Sequence, residues 1–524
     1  MSEPGQLLPS SGFASRAAGA LLCAALWGAA LPPAFGNEPV DLFSAAPIGS
    51  APRKTSGTGS GYPLDIHFEA LASGAVTPGS MIRCEPEPGL FFTARVSRIE
   101  MDVNGTLSLL APLEGHAFAF LSLSVSDDLA LGEVRLPDEQ RRYLIRFDPP
   151  QHRHVAGTVP DDEMDELPPG PAILPPPGAP SVEPQARKTS SDAPDVLGAG
   201  PTVIDVMIVY TPAAATWAGG TAGINNVIAQ AMVRAQACMD NSSLPITFRL
   251  VHSAQVPYTE SGNSNTDIDR LQKTSDGYMD EVHSWRTQHG ADIVHLLTTA
   301  NDTGGLGYLL NTTNGLPAWA FSLTRVQQAA NTYTVIHEVG HNMGAHHHKA
   351  QSVQPGPGLY SYAAGWRWTG TNGSRYCSVM TYEQGTYFTD GLSHVRVGYF
   401  SSPSLVHQGA AAGDAANGDN ARTLGNTRGV VAAYRSAPAK TFWCRATPLA
   451  NRVMLRWEDP MECGFSSRTV HIRCGSDTYP AATNQGSFVY QGTNQMFLHT
   501  NVVSGQPHRY AIWASDDGVN FVEP

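Results

Sequence analysis

The spacing of apolar positions divides the 524-residue chain into stretches of different period. Over about 63–165 the period is two. Leu121, Leu123 and Val125 alternate with serines, and Tyr143, Leu144, Ile145 and Phe147 make a second short run, so residues 37–166 read as a β-rich domain. An acidic run (DDEMDE) closes it at Glu166, and residues 167–200 are dense in Pro and Gly, which predicts a semi-stiff linker without a core of its own. From 201 the period changes. Residues 203–210 read as a buried strand, and 222–239 carry Ile224, Val227, Ile228, Ala231 and Ala235 at helical spacing. Residues 268–289 read as a second helix and 291–298 as the next strand. This alternation implies an α/β unit over 201–436. Beyond 437 helical spacing disappears, and short runs around Val453, Val470, Phe488 and Trp513, separated by Gly, Asn and Asp turns, predict a C-terminal β-sandwich reaching 524.

Ahead of these units Arg16 precedes an apolar run with Leu21, Leu22, Leu26 and Trp27, which exits through Ala34 and Gly36. That order resembles a secretory signal peptide over 1–36, cut before Asn37, and makes the expected location extracellular. The run is too short for a membrane span, and no other stretch of about 20 apolar residues follows. Lys and Arg number 33 against 46 Asp and Glu, a net charge of −13, which argues against a phosphate-tracking nucleic-acid binder and against an anionic membrane surface as partner. A small or protein substrate suits that balance better. Removing Cys23 with the leader leaves Cys84, Cys238, Cys377, Cys444, Cys463 and Cys474, too few for a disulfide-built scaffold; export makes pairing feasible, and the connectivity stays open.

The chemistry concentrates in His337-Glu338-Val339-Gly340-His341-Asn342-Met343-Gly344-Ala345-His346-His347. Residues four apart on a helix lie on one face, so the rings of His337 and His341 can share one Zn²⁺. A catalytic zinc needs three protein ligands and a fourth position for water, and His347 supplies the third. A straight helix would swing His347 away, so the helix must end after Met343, where Gly344 can take the left-handed cap. Three consecutive histidines, His346, His347 and His348, leave the register open at this point. Glu338 lies on the neighbouring strip of the helix, placed to take a proton from zinc-bound water and later return it to a leaving amine.

These residues resemble the metzincin metallopeptidases, whose H-E-x-x-H-x-x-G-x-x-H pattern is matched at every fixed position. The family carries a methionine turn beneath the metal, and Cys377-Ser378-Val379-Met380-Thr381-Tyr382 is similar to it. By that resemblance Met380 supports the histidine rings and Tyr382 hydrogen-bonds the tetrahedral intermediate. In detail the unit is similar to bacterial reprolysin-like and peptidyl-Asp metallopeptidases, in the opening strand segment 204–212, in Gly304–Tyr308 and in residues 399–403. The resemblance implies a preference for acidic residues near the scissile bond, and Gly304–Tyr308 then becomes the edge strand on which an extended substrate pairs. Two departures, His348 in place of an aspartate and Leu306 in place of a cysteine, put the internal support and disulfide pattern of the relatives in doubt here.

Three further expectations follow. Residues 37–200 are placed to act as a propeptide, with Arg187-Lys188 as a processing region and Cys84 as a thiolate that could block the metal. The tail resembles a fibronectin type III module, with Trp457 and Tyr510 in the core positions, and offers a surface or polymer partner. Asp414, Asn417, Asp419 and Asn420 could hold Ca²⁺, against a plain solvated loop. The reading of the whole is a secreted zinc endopeptidase. The alternatives are a zinc-containing adhesion protein with an inactive peptidase-like domain, and a zinc hydrolase of other substrates.

Overall fold

The computed structural model describes residues 38–45, 53–54, 60–72, 76–116, 118–158, 166–179, 201–436, 442–449, 452–500, 502–503 and 505–522. The expected signal peptide over 1–36 and the expected processing region Arg187-Lys188 lie outside them. The N-terminal strands join in an eleven-stranded sheet. Leu107–Pro112, Phe120–Ser126, Leu129–Leu136, Arg141–Asp148 and Arg153–Thr158 pair antiparallel in chain order, and Ser60–Ile66 then leads to Val40–Ala45, Met81–Glu87 and Leu90–Arg95. Leu121, Leu123 and Val125 enter its core as their alternation predicts. The intervening serines, however, are buried as well: Ser122 Oγ donates to Gln230 Oε1 at 2.8 Å and Ser124 Oγ to the Asn226 carbonyl at 3.2 Å. Both partners stand on the helix Thr221–Asn241, so the polar face of the sheet is covered by the next unit instead of by water. Short polar side chains pay little for burial when each hydroxyl finds an acceptor.

The second unit is a five-stranded sheet in the order Ile246–Gln255, Thr202–Tyr210, Ile293–Thr298, Phe321–Arg325, Gly305–Gly307. Its first four strands run parallel and the last is an antiparallel edge. Period two sorts the side chains of Thr202–Tyr210 into two layers. Ile204, Val206 and Ile208 pack with Ile224 and Ile228 and with Ile336 and Val339 of the helix Thr334–Asn342, whereas Met207 and Val209 pack with Ile268, Leu271 and Val282. Helices thus cover both faces, as the strand-helix alternation requires. The single helix expected over 268–289 is two, Ser264–Gln272 and Glu281–His289. Between them Gly277 and Met279 have φ of +86° and +54°, and the Asp280 carboxylate accepts the N–H groups of Asp276 and Gly277, a turn that helical periodicity cannot reveal.

After the helix Asn420–Val431 the chain forms sheets of three and four strands around one core holding Val453, Leu455, Trp457, Val470 and Ile472. No helix among the described residues is long and apolar enough to cross a membrane.

Candidate metal centre and its cleft

Thr334–Asn342 turns Val335, Ile336 and Val339 into the core and His337 and His341 toward the opposite wall. The helix ends where the sequence predicts. Gly344 has φ +90°, and its N–H and that of Ala345 bond back to the carbonyls of His341 and Gly340. That reversal brings His347 Nε2 within 3.1 Å of both His337 Nε2 and His341 Nε2. Each ring is fixed from behind, because Nδ1 of His337, His341 and His347 donates to the carbonyls of Val379, Ala345 and Gln354 at 2.9, 2.9 and 3.0 Å. Nδ1 therefore carries the proton, and the three Nε2 lone pairs face one point.

Burial holds all three imidazoles far below their usual pKa, His337 at about 3. Three neutral nitrogens crowded at this distance repel unless a cation sits among them, and three imidazoles each held by a backbone carbonyl behind it are the donor set that zinc requires. The neighbouring histidines are otherwise engaged. His346 Nδ1 accepts the His347 N–H at 2.7 Å, and His348 Nδ1 accepts that of Ala350 at 3.0 Å while its ring lies by Trp366 and Phe388.

Both oxygens of Glu338 are buried without a hydrogen-bond partner, and burial raises this carboxyl well above the usual range, with the Arg396 charge opposing. Its position depends on two glycines of the edge strand. A Cβ on Gly305 would lie 2.8 Å from Glu338 Cγ, and one on Gly307 would lie 2.7 Å from the Glu338 carbonyl oxygen. Met380 is fully buried beneath the helix, its sulfur where a Cβ on Gly340 would come within 2.7 Å, and Val379 before it orients His337. The Tyr382 ring lies 4.8 Å from that of His347. Burial raises its phenol, so it remains a donor, and it donates to the carbonyls of Pro169 and, at 3.2 Å, Gly170.

Pro169 and Gly170 belong to a segment expected to be linker. Instead it runs along the free edge of Gly305–Gly307, in the same direction. The Gly170 and Ile173 N–H groups donate to Gly305 and Gly307 at 2.7 and 2.9 Å, Leu309 donates to Ile173, and Gly304 to Pro168. Gln328 brackets Leu167, accepting its N–H and donating to its carbonyl. Pro168, Pro169 and Pro171 have no N–H to lose, so a proline-rich strand can occupy an edge with few unmet donors.

Cys84 is placed elsewhere, on Met81–Glu87 in the core of the N-terminal sheet, 1% exposed, with its thiol pushed by burial to about 12. An alternating apolar strand buried it, and the switch expectation is corrected accordingly. All six described cysteines are free thiols. The Asp414 carboxylate accepts N–H groups of Ala416 and Asn417, Asp419 caps the helix Asn420–Val431, and Asn420 brackets His346, so the calcium expectation gains no support. Sequence reading missed Glu166 and Arg396, which pair at 2.9 Å; one ended an acidic run and the other was a single cation between valines.

Residues 200–390 match the family model described as metallo-peptidase family M12. The chain is similar to a peptidyl-Asp metalloendopeptidase of Stenotrophomonas maltophilia, 33% identical over 235 residues, or 45% of this chain and 53% of that protein. A protein of that name from another strain of the same species is 30% identical over 321 residues, covering 60% of this chain and 70% of that one. A third, from Xanthomonas campestris pv. campestris, is 29% identical over 311 residues, 59% of this chain and 68% of it. The first alignment thus spans about half the length of its relative, the other two more than two thirds.

Proposed function

This chain belongs to the zinc metallopeptidases of family M12, and we propose that it is an exported endopeptidase whose N-terminal region holds it latent. The observation that carries the reading is the convergence of three Nε2 atoms beside a buried carboxylate that has no partner of its own. A structural zinc site is closed by a fourth protein ligand and has no use for such a group.

When bound there, Zn²⁺ polarises a carbonyl and lowers the pKa of water. His337, His341 and His347 hold it through Nε2. Glu338 is the general base and acid: it takes the proton of the attacking water on one of its free oxygens and passes it to the leaving amine. The glycine edge supplies backbone donors and acceptors that align an extended peptide, and the closed, apolar surroundings of Glu338 keep bulk water from competing for its proton. Tyr382, freed from the Pro169 and Gly170 carbonyls, donates to the developing oxyanion.

Latency follows from occupancy. The segment from Leu167 to Ile173 uses the same edge and the same tyrosine hydroxyl that a substrate needs, so both cannot be seated together. Cutting within 180–200, which includes Arg187-Lys188, would free it. The relatives' name, peptidyl-Asp metalloendopeptidase, supports a substrate with an acidic residue near the scissile bond. The C-terminal two-sheet unit, with Trp457 at its centre, supports a fibronectin type III-like module, and the leader supports secretion.

The test is casein digestion by the full-length chain, untreated and after limited cleavage within 180–200, beside Glu338→Ala with zinc measured in every sample. Hydrolysis by the cut parent alone, at equal zinc, is the expected result. If the cut parent is inert although it holds zinc, the peptidase reading is lost.

A further inference from the structure

Arg396 is a buried cation, its side chain 3% exposed, whose partners come from two sources. Three contacts belong to the wall that carries Tyr382: Nε donates to the Thr381 carbonyl at 3.3 Å, the backbone N–H to Glu383 Oε1 at 2.8 Å, and Nη2 lies 3.6 Å from Glu383 Oε2. The shortest carboxylate contact of the guanidinium is imported. Nη1 donates to Glu166 Oε1 at 2.9 Å, and Glu166 stands four residues before Gly170, on the segment that lies in the cleft. The charges of Arg135 and Arg142 on the N-terminal sheet favour the Glu166 carboxylate and that of Glu383 opposes it, and Arg135 Nη2 reaches the Arg396 carbonyl at 3.3 Å.

When that segment leaves, Glu166 leaves with it. Arg396 keeps one carboxylate, at the longer distance, and exposes an N–H fork to the emptied cleft. An Arg fork held on one side by Glu383 and Thr381 presents two parallel N–H donors in fixed geometry, and the group that fits the vacated place is another carboxylate on an extended chain. The site is close to the chemistry: the Thr381 carbonyl that Arg396 Nε bonds and the Glu383 carboxylate flank Tyr382, whose ring lies 4.8 Å from that of His347.

We infer that Arg396 is the residue that selects an acidic side chain in the substrate, and that Glu166 occupies its subsite in the uncut chain as a substrate mimic. This rests on the peptidase reading and assigns its specificity to one side chain. An amide in place of the carboxylate offers no charge to the guanidinium, so discrimination falls between Asp and Asn.

The experiment uses the zinc-loaded Glu338→Ala chain, in which bound peptide is not turned over, cut within 180–200 so that the segment from Leu167 to Ile173 can leave the edge strand, with Glu166→Gln added so that the freed segment does not compete for the subsite. A labelled peptide with a single Asp and its counterpart with Asn are titrated by fluorescence anisotropy. The Asp peptide is expected to bind about tenfold tighter or more, restoring Glu166 to weaken it by roughly tenfold, and Arg396→Gln to bring the two affinities within about twofold. Zinc content and circular dichroism report folding. Should Arg396→Gln lose zinc, Arg396→Lys carries the test, with a ratio between the two extremes. Equal affinities with Arg396 present, or a preference that survives its replacement, overturn the assignment. Chains carrying Glu338 are then assayed for hydrolysis of the same peptides. Selective binding without cleavage would overturn the peptidase proposal and leave Arg396 as the acid-binding group.

Discussion

Alanine at Gly307 puts the packing of the edge strand against Glu338 to a quantitative test. Its Cβ would lie 2.7 Å from the Glu338 carbonyl oxygen and 3.2 Å from Oε2. The first contact is with helix backbone, which cannot rotate away, so strand and helix must separate by about 0.7 Å to reach ordinary contact. Overpacking on this scale costs about 1–3 kcal/mol, and a catalytic group displaced by most of an ångström loses on the order of 10–100-fold in kcat/KM. The same exchange at Gly425, inside the helix Asn420–Val431, meets only Leu244 Cδ2 at 3.8 Å. There, helix propensity alone acts, and Ala should be neutral or stabilising by up to about 1 kcal/mol. The assay is peptide hydrolysis by cleaved full-length protein, with zinc content and thermal unfolding measured alongside. Gly307→Ala is expected to keep its zinc, unfold at lower temperature and lose activity, whereas Gly425→Ala keeps both. Full activity in Gly307→Ala would refute the claim that the glycine edge sets the position of Glu338.

Other outcomes follow from buried charge and packing. Glu133, 1% exposed, lies 2.7 Å from Arg234 of the long helix and 3.8 Å from Arg142, so Glu133→Gln leaves buried guanidinium charge uncompensated and should cost about 3–5 kcal/mol in urea unfolding; an unmoved midpoint would show that the cluster does not tie sheet to helix. Burial holds His154 at about 4 and His295 at about 3 against 6.5 for a free imidazole. Above pH 6.5 both states are neutral there and nothing is lost. Between 6.5 and about 4 the unfolded chain binds protons that the native one refuses, so stability should fall on acidification, by about 3 kcal/mol per histidine at pH 4. His154→Gln should flatten that slope, and a slope unchanged by the substitution would contradict the assignment. Trp457, fully buried in the C-terminal core, should cost about 3–5 kcal/mol on replacement by Ala, read as early loss of that unit's near-ultraviolet circular dichroism while zinc stays bound.

Much of the site was legible in sequence because its logic is local. A spacing of four on a helix, a glycine that reverses the chain and a histidine three residues later determine the converging nitrogens with few distant contacts. Residues 203–210 likewise announced a buried strand through composition alone. Where two turns of different chemistry look alike in period, local reading failed: Gly277 and the Asp280 carboxylate interrupt what periodicity joined into one helix.

Tertiary structure decided what depends on the far side of each element. Alternation separates the serines of Phe120–Ser126 from the leucines, but only a helix about a hundred residues later decides that they are buried, and Cys84 was a candidate metal ligand until a sheet closed around it. The same holds for the cleft. A proline-rich stretch read as linker because it has no core of its own, and its shortage of N–H donors suits it to the edge of Gly305–Gly307. Glu166 and Arg396 are separated by 230 residues, and neither has a sequence neighbour that foretells the other. Period and spacing reside in the covalent chain, so sequence alone specified strands, helices and ligand spacing; which charges are stripped of water, and against what, exists only once distant segments pack, and that packing decided what covers the metal centre.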